Sequence, residues 1–226
     1  PSQNWFYSSL AVGFLFILNF YLIAKTAVSQ GISIATFANK ISLVFPVVFT
    51  IIYFNEPNNW TKILGICLAV FSIYLLTYKG RNTSKSKGYL LPLFIFVATG
   101  VIETIINYTQ KIYFEIDNEI GYFVVSAFFI SFIFGIFLLA FNFKKVTFKN
   151  LLAGLLLSIP NTLGFYFFVK ALNENSDSSS ILPIINISTL VLAIGLGIVC
   201  YQEKLTKNNW IGFSLAILSI ILIKIF

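Results

Sequence analysis

The chain has no histidine and no methionine, and only two cysteines and six prolines among 226 residues. Without histidine, the commonest general acid–base and metal-ligating side chain is missing, and any protonation switch must rest on carboxylates. Cys67 and Cys200 fall in apolar sequence without CxxC or other metal-ligand spacing. They read as buried thiols, and neither a metal nor a cofactor is called for. No GxxxxGK[ST] pattern occurs, so ATP hydrolysis through a P-loop is excluded. Charge is also scarce, at 10% of residues against 58% hydrophobic, a balance that excludes an ordinary soluble domain.

What is present is a series of apolar runs of about 18 to 24 residues, the length a helix needs to cross roughly 30 Å of hydrocarbon. The runs are continuous rather than alternating, which favours helices over a barrel. Eight spans are predicted, near residues 5–24, 32–54, 61–78, 89–112, 121–143, 150–172, 179–201 and 208–226. From Trp5 onward the first run has no small-residue cleavage site and reads as a span rather than a signal peptide. The fold class expected is an all-α polytopic membrane bundle.

The bundle is internally duplicated. Gly-Ile-Cys-Leu-Ala-Val-Phe-Ser-Ile-Tyr-Leu (65–75) aligns with Gly-Phe-Ser-Leu-Ala-Ile-Leu-Ser-Ile-Ile-Leu (212–222), and Glu56 and Glu203 each stand nine residues before the leading glycine. With a two-residue gap, Phe20, Tyr21 and Lys25 match Phe165, Tyr166 and Lys170. The second copy has two spans ahead of its Phe-Tyr helix and the first has none. The expectation is therefore a ten-span protein, five plus five, with two helices upstream of Pro1. An odd number of spans per copy makes the repeats enter the membrane from opposite sides. The domain reading is a first repeat over 1–78 lacking its first two helices, a basic linker over 79–88, and a five-helix second repeat over 89–226.

The segment Ile-Ala-Thr-Phe-Ala-Asn-Lys-Ile-Ser-Leu-Val-Phe-Pro-Val-Val-Phe (34–49), followed by Phe-Asn-Glu (54–56) and a glycine-containing last helix, resembles the EamA repeat of the drug/metabolite transporter superfamily. The second copy keeps Gln202, Glu203 and Gly212. It departs where Ala193 stands opposite Pro46, with Pro183 nearer the start of that helix. The resemblance implies a ten-helix exporter or exchanger that holds a small metabolite between its halves.

Net charge is +7, and the basic residues sit mainly in alternate loops. Lys25, Lys79, Arg81, Lys85, Lys87, Lys144, Lys145, Lys149, Lys204 and Lys207 fall on one side, against Lys62, Lys111, Lys170 and Lys224 on the other. The positive-inside rule makes the first side cytoplasmic and leaves the C-terminus outside, whereas the family resemblance implies cytoplasmic termini.

The candidate site residues are the polar side chains within spans. Lys40 lies about 12 Å into the second span, where a cation costs roughly 2.5–3.5 kcal/mol. Asn39 adjoins it. Glu103 sits deeper in the fourth span, on an i, i+4 stripe with Thr99, Asn107 and Lys111. It is the candidate for proton coupling or for an ion pair with Lys40. Asn39 and Asn186 hold equivalent places in the two repeats, with Thr189 one turn after Asn186. Asn161 follows Pro160, and Tyr166 is nearby. Substrate binding is assigned to Lys40, Asn39, Asn107, Asn161, Tyr166 and Asn186, and no catalytic residue is named. Against this stands interhelical bonding alone, typically worth about 0.6 kcal/mol per pair.

The bland readings cover the rest. Glu56 and Glu203 are structural residues of the repeat, Lys25 and Lys170 anchor helix ends, and residues 176–180 form a helix cap. Trp5, Trp60 and Trp210 fit an interfacial belt, and Gly65, Gly195, Gly197 and Gly212 suit close helix packing. The favoured function is secondary transport of a small polar metabolite such as an amino acid, with lipid and protons as further partners, in a bacterial inner membrane. A membrane-embedded enzyme acting on a lipid-linked substrate would need a nucleophile–base or metal cluster, and no histidine or paired aspartate supplies one. A non-transporting scaffold predicts intramembrane charges that can be removed without loss of flux.

Overall fold

Backbone amides in hydrocarbon must bond within their own segment, and long apolar runs do so as helices. The structure, a computed structural model, describes residues 4–57, 59–77, 90–114, 117–142, 147–174, 177–201 and 207–225, and no strand occurs among them. Nine helices are formed by the described residues: α1 (Trp5–Ser29), α2 (Ile32–Ile41), α3 (Val44–Tyr53), α4 (Trp60–Thr77), α5 (Leu90–Tyr113), α6 (Asp117–Asn142), α7 (Phe148–Asn173), α8 (Ser178–Tyr201) and α9 (Lys207–Ile225). The basic linker 79–88, Lys144, Lys145 and the Gln202–Lys204 stretch lie outside the described residues, as do the surroundings of Gly197 and the side chain of Cys200.

Each of the eight apolar runs is helical, with α2 and α3 as two halves of the second, Ile34–Tyr53; six are long and apolar enough to cross a membrane, while Trp60–Leu76 and Lys207–Ile223 are shorter. The interruption was not expected. Pro46 has no N–H to offer the Ser42 carbonyl, so the regular ladder lapses one turn before it. Ser42 and Leu43 keep right-handed dihedrals. The chain tightens there, with Phe45 N donating to Ser42 O at 2.9 Å and Ser42 Oγ donating to Asn39 O at 2.5 Å. The two halves together remain one apolar stretch long enough to cross a membrane.

The chain forms two compact units, Pro1–Phe20 with Ile105–Ser176, and Tyr21–Thr104 with Asp177–Phe226. Both sequence repeats contribute to each unit. The first is built on aromatic packing. Phe165 meets Phe16 edge-on at 5.0 Å between ring centroids and Phe128 at 5.7 Å, and Phe114 packs on Phe123 at 5.4 Å. Each such contact adds about 0.5–1.5 kcal/mol beyond area burial. Gly13 lets α1 approach α6, since a methyl group there would lie 2.7 Å from Ala127 O. Ser131 Oγ donates across that contact to Gly13 O at 2.8 Å.

The second unit is organised by α4 and α9, the matching last helices of the two repeats. A methyl group on Gly65 would lie 2.6 Å from Ile223 Cγ1, and one on Gly212 would lie 2.9 Å from Leu75 Cβ. Residue 65 therefore faces 223 while 212 faces 75 and 76, which makes the pair antiparallel and places equivalent residues in equivalent contacts. This is the twofold relation expected of repeats inserted in opposite senses. Elsewhere in the unit, Ala35, Ala38 and Ile95 form a small buried core with Leu22, Ile23 and Ala27 against it. Phe45 of α3 packs on Phe96 of α5 at 4.9 Å.

Three expectations are corrected. Trp5 is buried rather than interfacial, although Trp60 and Trp210 are exposed. Cys67, expected as a buried thiol, is exposed. Gly195 meets no neighbour within 4 Å, so it does not mediate close packing.

Candidate functional site

Lys40 ends the short α2, and its stem carries the ammonium across to α8. There Nζ donates to Asn186 Oδ1 at 3.0 Å and to Thr189 Oγ1 at 3.1 Å. Residues 186 and 189 are one turn apart on one face of α8, so a single cation can reach both. Both acceptors are neutral, and a lysine ammonium has three donors. Glu103, on the part of α5 belonging to the same unit, lies within electrostatic reach of Lys40 and next to the Asn186 side chain. Its Oε2 and Asn186 Nδ2 are both buried and near each other without a well-formed hydrogen bond. Thr189 is exposed, so the cluster is open on that side. Three helices from the two repeats thus bring together a cation, a carboxylate and an amide that are incompletely satisfied.

The other expected site residues are distributed as follows. Asn39, beside Lys40, is half-buried, and its carbonyl accepts from Ser42 at the break. Asn107 belongs to the other compact unit, where it is fully buried with both side-chain polar atoms unpartnered. Asn161 and Tyr166 are in that unit too, on α7. Asn161 is exposed at the end of a stretch, 147–161, whose side chains are all exposed. Tyr166 is half-buried with its ring edge-on to Phe167 at 5.6 Å.

A second polar cluster occupies the start of α8. Glu56, just past α3, accepts from the backbone amides of Ser178 and Ser179 at 3.0 and 2.7 Å. It satisfies two of the donors that a helix N-terminus leaves open, and its charge suits that end of the dipole. Lys62 Nζ donates to both Asp177 carboxylate oxygens at 2.8 Å and to Pro57 O at 2.8 Å. Ser179 and Ser180 donate their hydroxyls to the same carboxylate. Burial alone would raise the Asp177 carboxyl. The bond from Lys62, with the hydroxyls of Ser180 and Ser179, outweighs it and holds the group well below the usual carboxylate range. The cap expected over 176–180 is therefore supplied by Glu56, whose place in the repeat pattern marked it as structural. Lys62 was counted only as a loop charge. Its signal was the matching position of Asn209, which donates instead to Leu75 O and Leu76 O at 3.3 and 3.0 Å.

Spans of this length, an inverted pair of repeats and ionisable groups inside the spans define a polytopic membrane protein of the transporter class. Residues 87–225 match the model of the EamA-like transporter family, and the chain belongs to that family. Its members carry small substrates across membranes. An uncharacterised protein of Haemophilus influenzae is 25% identical over 217 residues, covering 92% of this chain and 72% of that protein. A protein solved by crystallography superposes with a TM-score of 0.76 at 14% identity, covering 100% of this chain and 79% of that one, a likeness of fold alone.

Proposed function

We propose that the protein is a secondary-active exporter or exchanger of small polar metabolites such as amino acids, working by alternating access around the Lys40 cluster. The observation that carries this reading is the state of that cluster. A cation and a carboxylate are kept within spans at a cost of several kcal/mol, yet Glu103 Oε2 and Asn186 Nδ2, though near each other, make no well-formed hydrogen bond. Groups held at such cost and left incomplete are suited to a ligand that completes them. A carboxylate on the substrate would replace neutral oxygens around Lys40, and a substrate ammonium or a proton would engage Glu103. Asn39 adjoins the cluster, and Asn107, Asn161 and Tyr166 are kept as separate substrate-binding candidates from their place in the spans. A bacterial inner membrane suits the Haemophilus relative, with the Lys25 end of α1 on the cytoplasmic side by its charge.

The test is flux in proteoliposomes holding purified protein and radiolabelled amino acids, with and without a proton gradient. Wild type accumulates label under the gradient, whereas Glu103→Gln loses gradient-driven accumulation and Lys40→Ala loses flux altogether. Undiminished flux in both variants refutes the assignment.

A further inference from the structure

An ammonium carries only donors and a carboxylate only acceptors, so a carboxamide between them can turn one way alone, its oxygen to the cation and its nitrogen to the anion. Asn186 sits in that way. Its Oδ1 accepts from Lys40 Nζ at 3.0 Å, and its Nδ2 lies on the Glu103 side, near Oε2 without a well-formed bond. The residue is buried, at 5% exposure, on the face of α8 that meets both ions. Thr189, one turn on, accepts from the same ammonium at 3.1 Å while donating its own hydroxyl to Asn186 O at 3.0 Å. Lys40 is thereby held to α8 rather than to α5.

Lys40 and Glu103 attract each other, yet among the described residues no nitrogen–oxygen contact within 4.0 Å joins them. That separation needs a cause. Opposite charges in a weakly polar interior gain far more from contact than they do in water, and a lysine's four-carbon stem lets the ammonium swing. The amide fills the gap. Its dipole lies along the field between the two ions and favours both, but a charge–dipole contact is weaker than a charge–charge one and easier to displace. A closed pair would satisfy both ions and hide them from any ligand. A pair held apart keeps each of them within reach.

We propose that Asn186 is a displaceable spacer: it keeps Lys40 and Glu103 from closing into a direct ion pair, and it stands where the charged headgroup of a zwitterionic substrate goes. The proposal deepens the transport reading and rests on it for the nature of the ligand. On binding, a substrate carboxylate replaces Oδ1 at Lys40 and a substrate ammonium replaces Nδ2 at Glu103. Both contacts change from charge–dipole to charge–charge. The site offers one cation and one anion, and a headgroup carrying both signs leaves neither unmatched. An anion alone leaves Glu103 without a match unless a proton accompanies it. Asn186 is thus a positioning residue, acting through the two ions.

The test is a double-mutant cycle on Lys40→Met and Glu103→Gln, read by thermal melting of the whole protein in detergent, in two backgrounds: wild type and Asn186→Ala. With Asn186 present, the two changes are close to additive. With alanine there the ions close on each other, and the departure from additivity grows about threefold. Asn186→Gln, which keeps a carboxamide, restores near-additivity, a rescue that a packing role alone would not give. Asn186→Ser, whose hydroxyl is too short to meet both ions, repeats the alanine result and stands in for it if the alanine variant does not fold. Flux of labelled amino acids in proteoliposomes is the second readout. In Asn186→Ala the KM rises about tenfold with a smaller change in maximal flux, because substrate must first part the pair. An equal departure from additivity in both backgrounds overturns the spacer. Flux lost in Lys40→Met and Glu103→Gln alongside equal departures refutes the spacer alone. Undiminished flux in both, with the departure still growing in Asn186→Ala, refutes the transport reading and leaves only the spacing.

Discussion

Lys62 and Asn209 occupy matching positions in the two repeats and bond differently: Lys62 takes Asp177 in both carboxylate oxygens at 2.8 Å, while Asn209 caps the carbonyls of Leu75 and Leu76. One residue brings a charge to another helix, and the other closes the end of a helix. Duplication supplied the positions, and side-chain chemistry differentiated them.

Replacing Lys62 removes a nearly buried cation and leaves two carboxylates, Glu56 and Asp177, facing each other's charge. Lys62→Met should lower stability by about 1–3 kcal/mol, below the range for a fully buried pair because Asp177 is partly exposed. Thermal melting in detergent measures it, and Lys62→Met combined with Asp177→Leu should recover part of the loss. No recovery would mean that the cation, and not the pair, matters.

Asp177 is held below its ordinary range, which sets the pH dependence. A depressed carboxyl stabilises the folded state above its unfolded pKa of about 3.9, and that stabilisation is lost as pH falls toward the folded value. The difference in melting temperature between wild type and Asp177→Asn should hold constant from neutral pH to about 5, then shrink in stronger acid. A difference that already fades near pH 6 contradicts the geometry at Lys62.

Alanine at the seam glycines tests how closely the repeats meet. At Gly65 the nearest obstacle is Ile223 Cγ1, a side-chain carbon that can rotate; at Gly212 the obstacles are Leu75 Cβ and Leu76 N, carried by the backbone. Gly212→Ala should therefore cost more than Gly65→Ala, with overpacking of about 1–3 kcal/mol as the scale. Ile223→Ala should relieve Gly65→Ala and do nothing for Gly212→Ala. Melting temperatures of the four variants decide it.

Asn186→Asp gives Lys40 an internal anion in place of a neutral oxygen. For an anionic or zwitterionic substrate, the new carboxylate competes for the ammonium, so KM should rise about tenfold with a smaller change in maximal flux. Asn186→Leu should harm both. Initial rates against substrate concentration separate the two patterns, and an unchanged KM in Asn186→Asp would move the substrate away from Lys40.

Much of this was legible in the chain. Length and continuity of the apolar runs set the spans, and the Gly65 and Gly212 blocks set the repeat, because both depend on local sequence. The cost of charge in hydrocarbon singled out Lys40 and Glu103, and repeat register singled out Asn186. That Lys40 reaches Asn186 and Thr189 was not legible, since it depends on which helices are neighbours. The break between α2 and α3 was signalled by Pro46, although Pro160 and Pro183 lie within unbroken helices, so proline alone does not decide. Trp5 and Cys67 were misplaced for a physical reason. In lipid the outward face of a helix is as apolar as the inward one, and periodicity no longer tells inside from outside.

The Gly65 socket and the Leu76 plug recur as Gly212 and Ile223, so each half carries both parts of one self-fitting surface. A surface complementary to its own copy under a half-turn is what two separate chains need to associate. The α4–α9 contact thus holds, inside one polypeptide, two copies of a surface that fits itself.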